Sequence, residues 1–101
     1  MPMARYPVTC YGKGCAALAA YKIAARWSDG VTEELKTYSL CCADCLPHLF
    51  HDARDRRAAC RLATGETLEA PAVFQLTRGA RDRQLVRLAD LEEQLLRQHA
   101  S

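Results

Sequence analysis

Apolar and polar residues alternate along Tyr21-Lys-Ile-Ala-Ala-Arg-Trp27, with Tyr21, Ile23, Ala25 and Trp27 on one side and Lys22, Ala24 and Arg26 on the other. A two-residue period belongs to a β-strand. Ser28-Asp29-Gly30 is a turn signal, and a second strand is expected over about Glu34–Leu40, where Leu35, Tyr38 and Leu40 supply apolar and aromatic character. The two strands read as a hairpin. Beyond them the period lengthens: Leu46, Leu49, Phe50, Ala53 and Cys60 fall at helical spacing. Asp44 is placed to cap that helix, and Pro47 falls in its first turn, where amides lack intrahelical acceptors. Residues 61–71, with Gly65 and Pro71, read as a loop or irregular strand, and Ala72–Thr77 as a short third strand with Phe74 and Leu76 on one face. From about Ala80 to Gln98, Leu85, Leu88, Leu91 and Leu95 form one stripe, opposed by Arg83, Arg87, Asp90, Gln94 and Arg97. That pattern predicts an amphipathic C-terminal helix.

At 101 residues, half of them apolar, the chain has room for one modest core, which excludes a multidomain enzyme and a disordered tail. Fourteen basic against twelve acidic side chains give a net charge of +2, too small to diagnose a nucleic-acid binder. The eleven arginines stand beside three lysines, seventeen alanines, one isoleucine and no asparagine, a bias expected of a GC-rich genome. The first ten residues lack the basic start and apolar stretch of a secretory signal, and the longest apolar run, Ala16 to Tyr21, is far too short to span a membrane. A cytoplasmic location is therefore expected. In that compartment six cysteines point to a metal rather than to disulfides.

The cysteines are ordered to suit one. Cys10-Tyr-Gly-Lys-Gly-Cys15 is a glycine loop before the hairpin, and Cys42-Ala-Asp-Cys45 lies where the hairpin returns and the helix begins. A hairpin brings its end back beside its start, so Cys10, Cys15, Cys42 and Cys45 can converge on one tetrahedral Zn²⁺, and the helix dipole favours their negative charge. This order of knuckle, hairpin and helix-opening Cys-x-x-Cys resembles the treble-clef zinc-binding fold over about Cys10 to Cys60. The resemblance implies Cys10 and Cys15 as knuckle ligands and Cys42 and Cys45 as helix ligands. It departs from the pattern in a knuckle spacing of four rather than two and in the presence of Cys41 beside Cys42. The expected architecture is α+β: a treble-clef-like zinc module over residues 1–60, a loop and short strand over 61–79, and the helix over 80–101.

The remaining thiols and imidazoles have weaker cases. Neighbours on a strand point to opposite faces, so only one of Cys41 and Cys42 is an easy ligand. Cys42 suits the two-residue spacing to Cys45, with Cys10, Cys15, Cys41 and Cys45 as the alternative set. Cys60 shares the helical stripe of Leu46 and Ala53 and is expected in the core. His48 and His51, three apart, are expected on a solvated helix face near Asp52 and Asp55.

Four thiolates leave no coordination position for substrate, so such a site is structural. Catalysis has little support beyond a thioredoxin-like reading of Cys42 and Cys45, which lacks a βαβ context and leaves Cys10 and Cys15 unexplained. The expected function is a protein-interaction or adaptor module. It would dimerise by antiparallel pairing of the last helix through Leu85, Leu88, Leu91 and Leu95. Two alternatives are a nucleic-acid-binding module using Arg54, Arg56, Arg57 and Arg61, and a redox sensor using the surplus thiols Cys41 and Cys60.

Overall fold

A computed structural model describes residues 8–76 and 86–100, with no side-chain detail at 99 and 100. The fold is α+β. Its strands are β1 (Tyr21–Ser28), β2 (Glu33–Cys41), β3 (Thr67–Leu68), β4 (Ala72–Gln75) and β5 (Val86–Arg87), and its helices are α1 (Leu46–Ala59) and α2 (Ala89–Ala100). All pairings are antiparallel, and β1 is central, flanked by β2 on one side and by β3 and β4 on the other, with β5 beyond β4.

The hairpin forms where the alternation predicts it. Its four-residue turn is closed by Asp29, whose Oδ1 accepts the amides of Val31 at 2.8 Å and Thr32 at 2.7 Å, while Gly30 takes φ +94°, a conformation that costs glycine little. In β2 the register slips between Ile23↔Ser39 and Ala24↔Thr37, leaving Tyr38 as a bulge residue. β3 and β4 lie along the same edge of β1, and the ladder between them continues through the Glu69 amide, which donates to the Arg26 carbonyl at 3.0 Å. The strand breaks at Ala70-Pro71, since proline has no amide proton to offer.

Register places Ile23 opposite Val73 and Ser39, and all three are buried. Against this face pack Leu46, Phe50 and Ala53 of α1 and Leu95 of α2, with Leu49, Leu88 and Leu91 at the margin. The deepest residue of β4 is thus Val73, and Phe74 lies half-buried on the opposite face. On that second face Leu35, Phe74, Arg26 and Arg87 surround a depression of about 260 Å³ that also meets Ala24 and Ala72.

Three expectations need correction. The α1 N-cap is Cys45, with no side-chain capping bond, and Asp44 is exposed. Residues 43–45 wind as a turn, so the Cys42 and Cys45 carbonyls accept the amides of Leu46 and Leu49 at 3.0 Å each and no side chain is needed there. Secondly, α1 ends at Ala59, leaving Cys60 as a half-buried C-cap in extended conformation outside the core. Thirdly, α2 starts at Ala89 rather than near Ala80, because Val86 and Arg87 pair with Gln75 and Phe74 as β5. Leu85 and the rest of 77–85 lie outside the described residues.

The junction between β5 and α2 is tied by a carboxylate. The Leu88 amide donates to the Val73 carbonyl at 2.8 Å, but the Leu88 carbonyl is taken by the first helical amide, Glu92, at 3.1 Å. Val73 would then lack an acceptor, and Glu92 Oε2 replaces it at 2.9 Å. Arg87 grips the same carboxylate through Nε at 3.0 Å and Nη2 at 2.9 Å. Of the leucine stripe, Leu95 is buried in this chain's own core, and Leu88 and Leu91 pack against that core.

Candidate metal centre

The loop carrying Cys10 and Cys15 is the tip of a small hairpin. Thr9 and Leu18 form an antiparallel bridge, the Cys10 amide donates to the Ala17 carbonyl at 2.8 Å, and the Ala19 amide to the Val8 carbonyl at 2.8 Å. At the tip the Cys15 amide donates to the Gly12 carbonyl at 2.9 Å, and Gly14 adopts φ +78°. The whole knuckle is fastened to the end of β2, because the amides of Tyr11 and Ala20 donate to the carbonyls of Leu40 and Cys41 at 2.8 Å each. Cys42 follows β2 directly, and Cys45 is the first residue of the α1 terminus. Hairpin closure, knuckle docking and helix start therefore meet at one point.

There the sulfurs of Cys10, Cys15, Cys42 and Cys45 all lie within 4.8 Å of one another, and those of Cys15 and Cys42 are 3.8 Å apart. A tetrahedron with metal–sulfur bonds of about 2.3 Å has edges of about 3.8 Å. The same distance is far from the roughly 2.05 Å of a disulfide, and all six cysteines are free thiols. The residues present thus fit a four-coordinate metal ion. Cys10 and Cys42 are buried and Cys15 and Cys45 half-buried, so the site sits at the rim of the core with Cys15 and Cys45 on its more exposed side. Gly12 lines it closely: a Cβ there would fall 2.6 Å from Cys45 Sγ and 3.3 Å from Cys10 Sγ. Only glycine lets this backbone approach the sulfurs.

Without a metal the thiols must share protons, and the result is uneven. Burial opposes ionisation of Cys10, but the amides of Cys42 and Gly12 and the thiols of Cys45 and Cys42 donate to it and bring its thiol down to about 7. Cys45 gives its proton to the sulfurs of Cys10, Cys15 and Cys42, and with burial added its thiol is pushed up to about 12. At Cys15 the Ala17 amide favours the thiolate, but the bond to Cys42 and burial outweigh it and raise the thiol. One charge is thus easy to place among four sulfurs and the last is hard, an imbalance that a divalent cation removes.

Cys41 points the other way. It is fully buried in the hydrophobic core, and that burial, followed by the nearby Cys10 and Cys42 sulfurs, pushes its thiol up to about 12. Among the described residues the metal-competent cluster consists of Cys10, Cys15, Cys42 and Cys45, and neither His48 nor His51 belongs to it. His48 is exposed, and His51 meets Phe50 edge-on at 5.5 Å between ring centres.

The arginines of α1 are partly spent within the fold. Arg57 donates through Nε and Nη2 to the Leu68 carbonyl at 3.2 and 2.8 Å, tying the end of α1 to β3, and Arg56 pairs with Asp52 at 3.2 Å. Neither Arg57 nor Glu92 was singled out by the sequence pattern as a tie between elements. Their partners, a carbonyl and an amide, carry no side-chain signature. Among the described residues no helix is long and apolar enough to cross a membrane.

Comparison of the chain with protein-family models, with curated proteins and with solved structures gives no match. Geometry therefore has to carry the functional reading alone.

Proposed function

We propose that this chain is a structural-zinc module of treble-clef type that serves as a protein-interaction or adaptor domain in the cytoplasm. The observation that carries the zinc reading is the convergence of four sulfurs from the knuckle and the α1 terminus, with a 3.8 Å edge between Cys15 and Cys42. Cys10, Cys15, Cys42 and Cys45 would hold the ion, and an all-thiolate tetrahedral site selects zinc or iron among common metals, with zinc the redox-inert choice for a structural role. Bound there, Zn²⁺ supplies cross-linking of the knuckle, β2 and α1 and neutralises the thiolates. The chain's residues fill every coordination position, which supports a non-catalytic role and moves function to the surface.

A protein partner is favoured over nucleic acid because two of the three α1 arginines already have partners, Arg57 in the Leu68 carbonyl and Arg56 in Asp52 on the helix surface. Self-association through the last helix would use the exposed sides of Leu88 and Leu91, which are half-buried against the core, while Leu95 is buried in this chain's own core.

The deciding experiment is elemental analysis of the purified chain, expected to give one zinc per chain, followed by chelation. Structural zinc contributes about 10–16 kcal/mol in small modules, against about 5–15 kcal/mol for a whole domain. Stripping it should unfold the cysteine-bearing N-terminal half, weakening the native circular dichroism and lowering the melting temperature. A metal-free chain with an unchanged spectrum and melting temperature refutes the zinc reading. A gel shift with random DNA and RNA that weakens steeply with salt would replace the protein partner with nucleic acid.

A further inference from the structure

We infer that the four-sulfur site is also a peroxide-responsive switch, in which the first bond to form links Cys15 to Cys42 and releases the metal. This inference rests on the zinc reading above. Two sulfurs of the site, those of Cys10 and Cys42, belong to buried residues at 6% and 8% exposure, whereas Cys15 and Cys45 are only half-buried. The two outer sulfurs differ in shelter. Cys45 Sγ is roofed by Gly12, so closely that a Cβ would sit 2.6 Å away. The closest approaches of Gly12 are to Cys45 and Cys10, whereas Cys15 lies at the far end of the knuckle from Cys10. Its sulfur lies 3.8 Å from that of Cys42, about the edge of a zinc–thiolate tetrahedron, so a reaction partner stays beside it with the metal bound.

The chemistry needs hydrogen peroxide as oxidant and balances as follows. The Cys15 thiolate attacks one peroxide oxygen, the O–O bond breaks, and Cys15 becomes a sulfenic acid with release of hydroxide. The Cys42 thiolate then attacks the Cys15 sulfur, the S–O bond breaks, and a second hydroxide leaves as the disulfide forms. Two electrons pass from the two sulfurs to peroxide, and solvent protons convert both hydroxides to water. Cys10 and Cys45 remain as the only protein ligands, two short of a closed structural site.

The structural consequence is selective. A Cys15–Cys42 bond keeps the knuckle tied to the end of β2, a junction already held by the Tyr11 and Ala20 amides. Cys45, at the start of α1, loses its tie to the knuckle. Oxidation would therefore loosen α1 while the hairpin stays closed. The surplus thiols take no part. Cys41 is fully buried on the core side of the sheet, and Cys60 caps the far end of the 14-residue α1, about 21 Å from its start at 1.5 Å per residue.

The test begins with elemental analysis, so that zinc occupancy is known. The zinc-loaded chain is then titrated with hydrogen peroxide while a chromophoric chelator reports released metal, and alkylated samples are mapped by peptide mass spectrometry. Zinc release in step with a disulfide between the Cys15 and Cys42 peptides is expected, as is restoration by dithiothreitol and added zinc. Cys41→Ala and Cys60→Ala should each change the release rate by less than about twofold, since neither thiol lies on the route. A first disulfide containing Cys41 or Cys60, zinc retained after the Cys15–Cys42 bond has formed, or thiols no more reactive than free cysteine would overturn the switch alone. A chain without zinc would overturn both it and the zinc reading.

Discussion

Replacing Glu92 by alanine tests whether one carboxylate holds α2 to the sheet. In the folded chain its side chain is 10% exposed and accepts three hydrogen bonds, one from the Val73 amide and two from Arg87. Removing it leaves the Val73 amide buried with no acceptor, which costs about 1–3 kcal/mol. The Arg87 side chain is 55% exposed and can turn to water, so the lost ion pair adds only about 0–1 kcal/mol. A total of about 1–4 kcal/mol is a large part of a small domain's stability and corresponds to a melting point lower by roughly 4 °C or more. Glu92→Gln separates the two contributions. Its amide oxygen can still accept from Val73, so it should lose about 1 kcal/mol or less relative to the native chain. Urea titration of the zinc-loaded proteins followed by circular dichroism measures both, and zinc content should be unchanged. An alanine variant within about 0.5 kcal/mol of the native chain, the ordinary scatter of surface substitutions, would sink the reasoning. So would a glutamine variant as unstable as the alanine one.

Other expectations concern the metal centre and the hairpin. Gly12→Ala removes no ligand but sets a methyl group 2.6 Å from Cys45 Sγ, so zinc affinity measured by chelator competition should fall about 10–100-fold, as for other groups that position metal ligands; unchanged affinity would show that the close approach is not needed. Cys42→Ser should abolish stoichiometric zinc binding. Cys41→Ser should keep it and lose about 1–3 kcal/mol by burying a hydroxyl in the core, and the reverse pattern would assign the ligand to Cys41. The amides of Thr32 and Val31 hold the Asp29 carboxyl below its ordinary range. Stability from this contact is present above the unfolded value of about 3.9 and is lost as pH falls through the lower folded value. The stability gap between the native chain and Asp29→Ala should therefore narrow on acidification, and a gap that widens would refute the assignment.

What was legible from the sequence was local. Alternation in β1, the apolar and aromatic character of Leu35, Tyr38 and Leu40 in β2, the Ser28-Asp29-Gly30 turn and the spacing of Leu46, Phe50 and Ala53 each describe an element whose neighbours in sequence are its neighbours in space. The convergence of the four sulfurs was legible for the same reason, since a hairpin must return its end to its start. Non-local pairing was hidden. Val86 and Arg87 continue a helical repeat of leucines, yet β4 offers them a strand edge, and two ladder pairs with the Glu92 clamp outweigh a modest helix propensity. The same competition moved Cys60 out of the core, because α1 stops at Ala59 and the Arg57 side chain is committed to β3.

These two misreadings share a physical origin that bears on function. In both places a charged helix side chain ties down a two-residue strand: Arg57 of α1 holds the Leu68 carbonyl of β3, and Glu92 of α2 holds Arg87 of β5 together with the Val73 amide of the neighbouring β4. β3 and β5 have two residues each, too few to hold themselves by ladder bonds alone, so the helices stabilise them and are positioned by them in return. Order that a bound metal would impose at Cys45 is thereby connected through α1 to Arg57 and β3. Loss of the ion should reach beyond the knuckle to the β3 edge of the sheet. Hydrogen exchange on the chelated chain should show the Thr67 and Leu68 amides losing protection along with α1, whereas protection lost only around Cys10–Cys15 would mean that the two ends of the helix are energetically independent.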